Sequence, residues 1–369
     1  MRTRTWHAIA APVAALVAGL MAMSLAACGG DQQSGTDSFA VGLLLPSRTV
    51  PRWEHSDKPL IEKELKKLCP RCTVDYANAE GDTTRQRQQM ISMITKGVRV
   101  LILDATDTRA LRSSIQEAHK AGVPVVAYDR LAEGPISGYV SFDGGQVGRL
   151  QGEALLKAMD DKANGGNVVN ENVVMMNGDP TSPNAAWYRK GALSVIAGKV
   201  NIARSYDTPG WSTENAHANM SAAIAALGPD RIDGVLAAND AIATGVIAAL
   251  KSARVGELPP VTGQDAQLDA VQRIVKGEQY MTVYKPFGAE AEAAAAMAVA
   301  LGRGEDLGEV ATTTTDSPTT RHIPSVLLTP SAVTVGNIEQ TLVKDGVYTV
   351  DQICTPKLRS ACDKAGLAP

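Results

Sequence analysis

The alternation of short β-rich runs with helical patterns constrains this chain more than any other feature. Strand-like runs fall at residues 41–45, 73–77, 98–103, 123–128 and 136–142, with helix-periodic stretches at 59–68, 84–95 and 108–121 between the first four. After a helical stretch at 146–159 the rhythm resumes. Strands at 172–176, 201–206, 234–237, 260–263 and 280–284 alternate with helices at 184–197, 213–227, 241–251 and 266–275. Parallel strands need a crossover, and repeated βα units of this spacing give parallel sheets covered by helices on both faces. The two sets are not close repeats of each other. They predict an α/β chain with two doubly wound parallel-sheet lobes. The last third crosses back through an alanine-rich helix at 289–301. A Gly-, Asp- and Thr-rich stretch at 302–320 follows, whose threonines at 312–315 read as an exposed strand and turn. A strand at 325–329, a short helix at 337–344 and a tail complete the chain.

In open α/β sheets, ligands sit beyond the carboxyl ends of the strands. Residues 123–128 are an apolar strand that runs directly into Asp129 and Arg130. The carboxylate offers acceptors and the guanidinium a planar fork of donors, side by side. An Asp opening a turn beside a surface Arg is the competing reading, and the other strand ends decide between them. Arg52 and Trp53 follow the first strand. In the second set, Asn184, Trp211, Asn239 (with Asp240), Asp265 and Lys285 follow successive strands. Capping alone accounts for Asn239 or Asp265, and Lys285 before Pro286 suits a solvated turn. Yet aromatic residues are only 4% of the chain, and both Trp53 and Trp211 fall at strand ends, where an indole needs a stacking partner. Planar polar groups beside indole faces suit a small neutral polyol. The cluster Gly144-Gly145-Gln146-Val147-Gly148 lacks phosphate-loop and dinucleotide spacings and reads as easing a chain crossing. Asp129 and Asp265 would also repel an anion. No cofactor and no metal are expected.

Residues 1–27 have the form of a secretory signal: Arg2 and Arg4 precede an apolar run at 8–23 too short for a membrane span. Leu25-Ala26-Ala27-Cys28, followed by Gly29-Gly30, resembles a bacterial lipobox in which Cys28 is lipidated; plain cleavage near Ala27 is the alternative. Residues 28–38 read as a polar tether. Removing Arg2 and Arg4 with the signal takes the net charge from −3 to −5. No basic stripe remains, which excludes nucleic acid as a partner. The mature chain is expected to be exported and held to the membrane only through lipid, on the outer face of the cytoplasmic membrane, in the periplasmic space or at the cell surface. Cys69-Pro70-Arg71-Cys72 has the spacing of a redox or zinc half-site, but Cys354 and Cys362 are too far apart to complete a typical zinc site. Outside the membrane, disulfides are the commoner fate. Of the possible pairings, the local Cys69–Cys72 and Cys354–Cys362 are expected, each contributing about 2–3 kcal/mol.

Several strings together resemble the D-xylose-binding proteins of ABC sugar importers, within the ribose/galactose type of periplasmic binding proteins. They are Pro51-Arg52-Trp53, Ala127-Tyr128-Asp129-Arg130, Val140-Ser141-Phe142-Asp143 with Val147-Gly148-Arg149-Leu150-Gln151, Asn239-Asp240-Ala241, Gly263-Gln264-Asp265-Ala266 and Met281-Thr282-Val283-Tyr284-Lys285-Pro286. The similarity runs from about residue 40 to 348. It implies a type I fold whose two lobes are joined by a three-crossover hinge and close on one sugar. Residues 39–143 plus 286–325 would form the N-terminal lobe, 144–285 plus 326–350 the C-terminal lobe, and 351–369 a tail with a cysteine pair. Crossings are expected near 143–144, 284–286 and 325–327. The implied sugar contacts are Arg52, Trp53, Asp129, Arg130, Asn184, Trp211, Asn239, Asp265 and Lys285, the residues that the strand ends select. The implied partners are a monosaccharide (D-xylose or a related aldose) and an ABC permease and ATPase, with the protein a monomer. Pro51 stands where the family often has Glu, and Ser182-Pro183-Asn184-Ala185 where it tends to have Asp-Asn-Asn-Ala, so the sugar class is better specified than the sugar.

Other functions fit less well. A secreted glycosidase would use Asp129 and Asp265 as its carboxylate pair, but Arg130 beside Asp129 should spoil it as a general acid. A Schiff-base aldolase through Lys285 lacks a His at any strand end. A sugar-responsive repressor needs a DNA-binding module where this chain has an export signal. A tethered sugar sensor signalling to a membrane receptor shares every feature of the importer reading.

Overall fold

In the computed structural model, residues 38–162 and 168–367 are described. The signal peptide and the Cys28 lipidation site lie outside the described residues. The strands, in chain order, are β1 (Ala40–Leu45), β2 (Thr73–Asn78), β3 (Val100–Leu103), β4 (Val125–Tyr128), β5 (Gly138–Phe142), β6 (Asn172–Met176), β7 (Asn201–Tyr206), β8 (Gly234–Ala237), β9 (Met281–Tyr284), β10 (Thr313–Thr315), β11 (Ile323–Leu328) and β12 (Ser331–Thr334). The first seven-stranded sheet has the order β10-β11-β5-β4-β3-β1-β2, parallel except for the edge strand β10. The second unit holds the parallel trio β7-β6-β8, a single bridge from Val235 to Val261, and the antiparallel pair β12-β9. The fold is α/β with mostly parallel sheets.

The helices are α1 (Lys58–Leu68), α2 (Thr83–Lys96), α3 (Arg112–Lys120), α4 (Gly144–Lys162), α5 (Pro183–Ile196), α6 (Thr213–Leu227), α7 (Asp240–Ser252), α8 (Leu268–Lys276), α9 (Phe287–Arg303), α10 (Val350–Ile353) and α11 (Arg359–Lys364). In β1 the side chains alternate between two cores. Val41, Leu43 and Leu45 pack with Ile61 and Leu65 of α1, while Leu44 packs with Met90 and Met93 of α2. Burial on both faces is what a central parallel strand requires, and it explains why β1, β3 and β4 read as unbroken apolar runs. Helix starts follow their caps: Asp82 accepts the Thr84 and Arg85 amides at 2.7 and 3.1 Å, and α2 stops at Gly97 with φ +84°.

The glycines at 144–148 serve helix packing. A Cβ on Gly148 would lie 2.0 Å from the Tyr188 carbonyl oxygen. Glycine there lets α4 and α5 approach closely.

The chain passes between the two units at 143–144, at 285–286 and at 329–330. The third passage comes later than the expected 325–327. β11 stays in the first sheet to its end, with Leu328 paired to Phe142 and accepting the Asp143 amide at 3.1 Å. The lobe boundary expected at residue 325 therefore falls inside a strand. The strand expected at 260–263 forms only the bridge at Val261, and β12 has no counterpart among the expected elements. Cys69 is joined to Cys72 and Cys354 to Cys362, with Cα separations of 5.3 and 5.9 Å. The first pair closes the C-terminal end of α1, where helix carbonyls disfavour a thiolate, and this opposes the redox reading of the motif. The tail packs through Ile353, Leu358, Cys362 and Leu367 onto Val271 and Ile274 of α8.

Candidate ligand-binding site

Each residue selected at a strand end reaches one small cavity between the two units. Arg52 and Trp53 arrive on a π-helical turn, Trp53–Asp57, that leads into α1. Asp129 and Arg130 leave β4, and Lys285 leaves β9. Asn184 stands in the first turn of α5, and Trp211 closes a 3₁₀ turn after β7. Asn239 caps α7, its Oδ1 accepting the Ile242 amide at 2.9 Å, which leaves its amide nitrogen free of that role. Asp265 caps nothing: α8 begins later, with Gln267 at its N-cap. None of the nine is more than 7% exposed.

Three of them hold left-handed backbone: Asp129 at φ +56°, Trp211 at +52° and Asp265 at +98°. Such conformations cost about 1–3 kcal/mol for residues other than glycine and persist where surrounding contacts dictate them. Trp211 lies flat against Gly178, where a Cβ would come within 2.0 Å of the indole Cη2.

Asp129 is the electrostatic hub. Its Oδ2 accepts from Arg52 Nη1 at 3.0 Å and Lys285 Nζ at 3.1 Å, and its Oδ1 from Asn184 Nδ2 at 2.7 Å. Burial alone would raise this carboxyl; Lys285, Arg52 and Arg130 outweigh it and hold the pKa at about 2. Asp265 Oδ1 lies 3.3 Å from Arg52 Nη1 and 3.2 Å from Lys285 Nζ, and also accepts from Gln264 Nε2. The two cations thus tie an acid of the first sheet to an acid of the second unit. Arg52 is fixed from behind by Asp57 at 2.6 and 2.9 Å and by Glu290 at 2.8 Å. Its guanidinium lies 4.1 Å from the centroids of both Trp53 and Phe287.

Arg130 does not pair with Asp129. Its Nη1 donates to the Ala105 carbonyl at 2.8 Å, and its Nε lies 3.3 Å from Asp104 Oδ1. Burial pushes Asp104 and Glu290 well above the ordinary carboxylate range despite these cations.

Three polar atoms of the cavity residues, Trp53 Nε1, Trp211 Nε1 and Asn184 Oδ1, have no hydrogen-bond partner among the described residues. Buried groups of this kind normally find one, so the cavity offers two donors and an acceptor to a polar guest. Among the described residues, no cluster of three or more His, Cys, Asp or Glu side chains is arranged to hold a metal ion. The groups are not poised for acid–base or Schiff-base work either. Asp129 is too acidic for a general acid, and Lys285 is pushed above the ordinary lysine value, its acids outweighing burial and the repulsion of Arg52.

Sequence reasoning missed Val50, Tyr188 and Gln264, which also line the cavity. Tyr188 lies one helical turn beyond Asn184, and Gln264 adjoins Asp265, so both were within reach of the same rule. Val50 carries no signal.

A sequence profile of the periplasmic binding protein domain matches residues 41–306. The D-xylose-binding periplasmic protein of Escherichia coli (strain K12) is 34% identical over 319 residues, covering 85% of this chain and 92% of that one. The multiple sugar-binding periplasmic receptor of Rhizobium radiobacter is 32% identical over 335 residues, covering 86% and 93%. Among solved structures, an ABC transporter solute-binding protein from Clostridium phytofermentans with bound β-D-glucose superimposes with a TM-score of 0.77 at 31% identity, over 85% of this chain and 99% of that one. The chain belongs to the periplasmic binding protein family.

Proposed function

We propose that this is an exported, lipid-tethered binding protein that closes on one monosaccharide, D-xylose or a close aldose, and delivers it to an ABC permease and ATPase. The observation that carries the reading is the cavity wall: planar hydrogen-bonding groups and indoles from both units converge on one small space, with unpartnered polar atoms among them. The relatives named for xylose and for multiple sugars support the sugar class, and their names differ in the sugar. Closure would be a hinge motion of residues 39–143 and 286–328 against the rest, about passages at 143–144, 285–286 and 329–330. Cys28 would carry the lipid, keeping a monomer at the outer face of the cytoplasmic membrane.

A thermal-shift panel of pentoses and hexoses tests the function. A sugar at about a thousand times its Kd stabilises the fold by roughly 4 kcal/mol, several degrees in melting temperature. D-xylose or a close aldose should give this shift; amino acids, phosphosugars and nucleotides should not. No shift with any monosaccharide would end the proposal. The anchor is tested separately: wild type should partition into detergent phase and Cys28→Ala should not.

The relative from Rhizobium radiobacter is named a receptor, which favours signalling as a second reading. Neighbouring genes for a permease and ATPase, or for a sensor kinase, separate the two.

A further inference from the structure

A second, wider cleft of about 550 Å³ adjoins the cavity and shares only Arg52 and Asp265 with it. Like the cavity, it is lined from both units: His55 and Phe287 on one side, Gln267, Asp269, Gln272 and Tyr348 on the other. Its chemistry repeats that of the cavity, with side-chain amides and a carboxylate beside flat rings. Gln267 is 8% exposed, and its Nε2 has no hydrogen-bond partner among the described residues. Gln272 donates to the Gln352 carbonyl at 3.0 Å, which leaves its own oxygen to accept. The charge does not favour an anion. Arg52 is already engaged by Asp57 and Glu290, and the carboxylate of Asp269 is paired with Arg273, so the cleft presents no unmatched cation.

The two residues common to both spaces touch each other, Arg52 Nη1 lying 3.3 Å from Asp265 Oδ1. If Asp265 turned to a sugar hydroxyl, Arg52 would keep its bonds to Asp57, Glu290 and Asp129. Releasing that one contact therefore leaves the arginine anchored.

We propose that this cleft is a second carbohydrate subsite, which lets the protein hold a short neutral saccharide or glycoside. The terminal unit would occupy the cavity, and the next would lie between Phe287 and Tyr348, within reach of Gln267 and Gln272. The inference rests on the sugar-binding reading above.

Calorimetry on the mature protein compares D-xylose with β-1,4-xylobiose and D-glucose with cellobiose. For the sugar series that binds, the disaccharide should bind about tenfold more tightly, the gain of one or two added hydrogen bonds with stacking. Gln272→Ala and Tyr348→Ala should remove that gain and leave the monosaccharide within about twofold of wild type. Gln272→Trp, which fills the cleft without emptying a core, should block the disaccharide alone. A disaccharide that binds no better than its monosaccharide, or a gain that survives Gln272→Trp, overturns the subsite while the sugar-binding reading stands. Absence of binding by every sugar overturns both.

Discussion

Replacing Lys285 with Met tests whether the cation between the two acids holds the site together. Lys285 is 2% exposed, with its ammonium 3.1 Å from Asp129 Oδ2 and 3.2 Å from Asp265 Oδ1. Methionine conserves most of the apolar stem and deletes the charge. Asp129 would keep Arg52 and Asn184, and Asp265 would keep Arg52 and Gln264, but one guanidinium would then face two buried carboxylates. Asp129 is held at about 2 against an ordinary 3.8, a difference of about 2 kcal/mol, of which Lys285 supplies the largest Coulombic share. The loss at Asp265 adds to it. Removing one partner of a buried ion pair typically costs about 3–5 kcal/mol, and Lys285→Met should fall in that range at neutral pH.

The pH dependence distinguishes this cause from a packing defect. In wild type, the carboxyl of Asp129 is depressed on folding, so its contribution is present above about pH 4 and is lost as pH falls towards 2. Without Lys285 the same carboxyl should rise in the folded state. The variant should then lose stability at neutral pH and recover part of it as the acid takes up a proton at lower pH. Urea denaturation followed by tryptophan fluorescence at about pH 7 and about pH 4.5 measures both. A deficit of the same size at both pH values would refute the electrostatic account. A deficit below about 1 kcal/mol at neutral pH would show that Arg52 alone suffices.

Gly178→Ala places a methyl where the indole of Trp211 lies, 2.0 Å from its Cη2, and should weaken sugar binding by about tenfold by calorimetry; unchanged affinity would remove Trp211 from the contact set. Arg130→Ala should destabilise the fold by about 1–3 kcal/mol, because it leaves the buried Asp104 carboxyl and the Ala105 carbonyl without their donor. Arg130→Ala combined with Asp104→Asn should regain part of that loss in urea, and no recovery would mean that Asp104 is not its partner. Peptide mapping without reduction should recover Cys69 linked to Cys72 and Cys354 linked to Cys362, and a link from Cys69 to Cys354 would contradict the packing of the tail on α8.

What is legible in the sequence is set by strand ends. A parallel strand finishes where its apolar run finishes, so Asp129 after β4 and Lys285 after β9 are visible as positions before any geometry is known. Their partners are not visible. Asp129 and Arg130 are neighbours in sequence, but Asp129 adopts left-handed backbone and the two side chains part, one to Arg52 and Lys285, the other to Asp104. Asp104 follows β3 and satisfies the same strand-end rule, yet no planar or aromatic neighbour marks it out. Asp57 and Glu290 lie within helical segments, and only the packing of α9 against the turn before α1 brings both to Arg52. The third passage falls later than expected because β11 pairs with β5 as far as Leu328; the strand expected at 325–329 reaches that far, but nothing local says which sheet holds it.

The layering of charge bears on selectivity. Three cations, Arg52, Arg130 and Lys285, line the cavity with two acids, Asp129 and Asp265, a balance that would by itself attract an anion. Behind them stand Asp57, Glu290 and Asp104, which engage Arg52 and Arg130 from the rear. With Asp57, Asp129 and Asp265 set against Arg52, Arg130 and Lys285, the cations act as oriented hydrogen-bond donors whose charge is already matched, and a phosphorylated sugar would gain little Coulomb energy while losing its hydration. A neutral hydroxyl gives up far less water and can take a donor from Lys285 or Arg52 while donating to Asp129 or Asp265. It would enter by exchanging with the ion pairs that cross between the two units. Affinity would then be the difference between the hydrogen bonds a sugar makes and the carboxylate pairings it displaces. The aldose that binds tightest should be the one whose hydroxyls reach both acids at once.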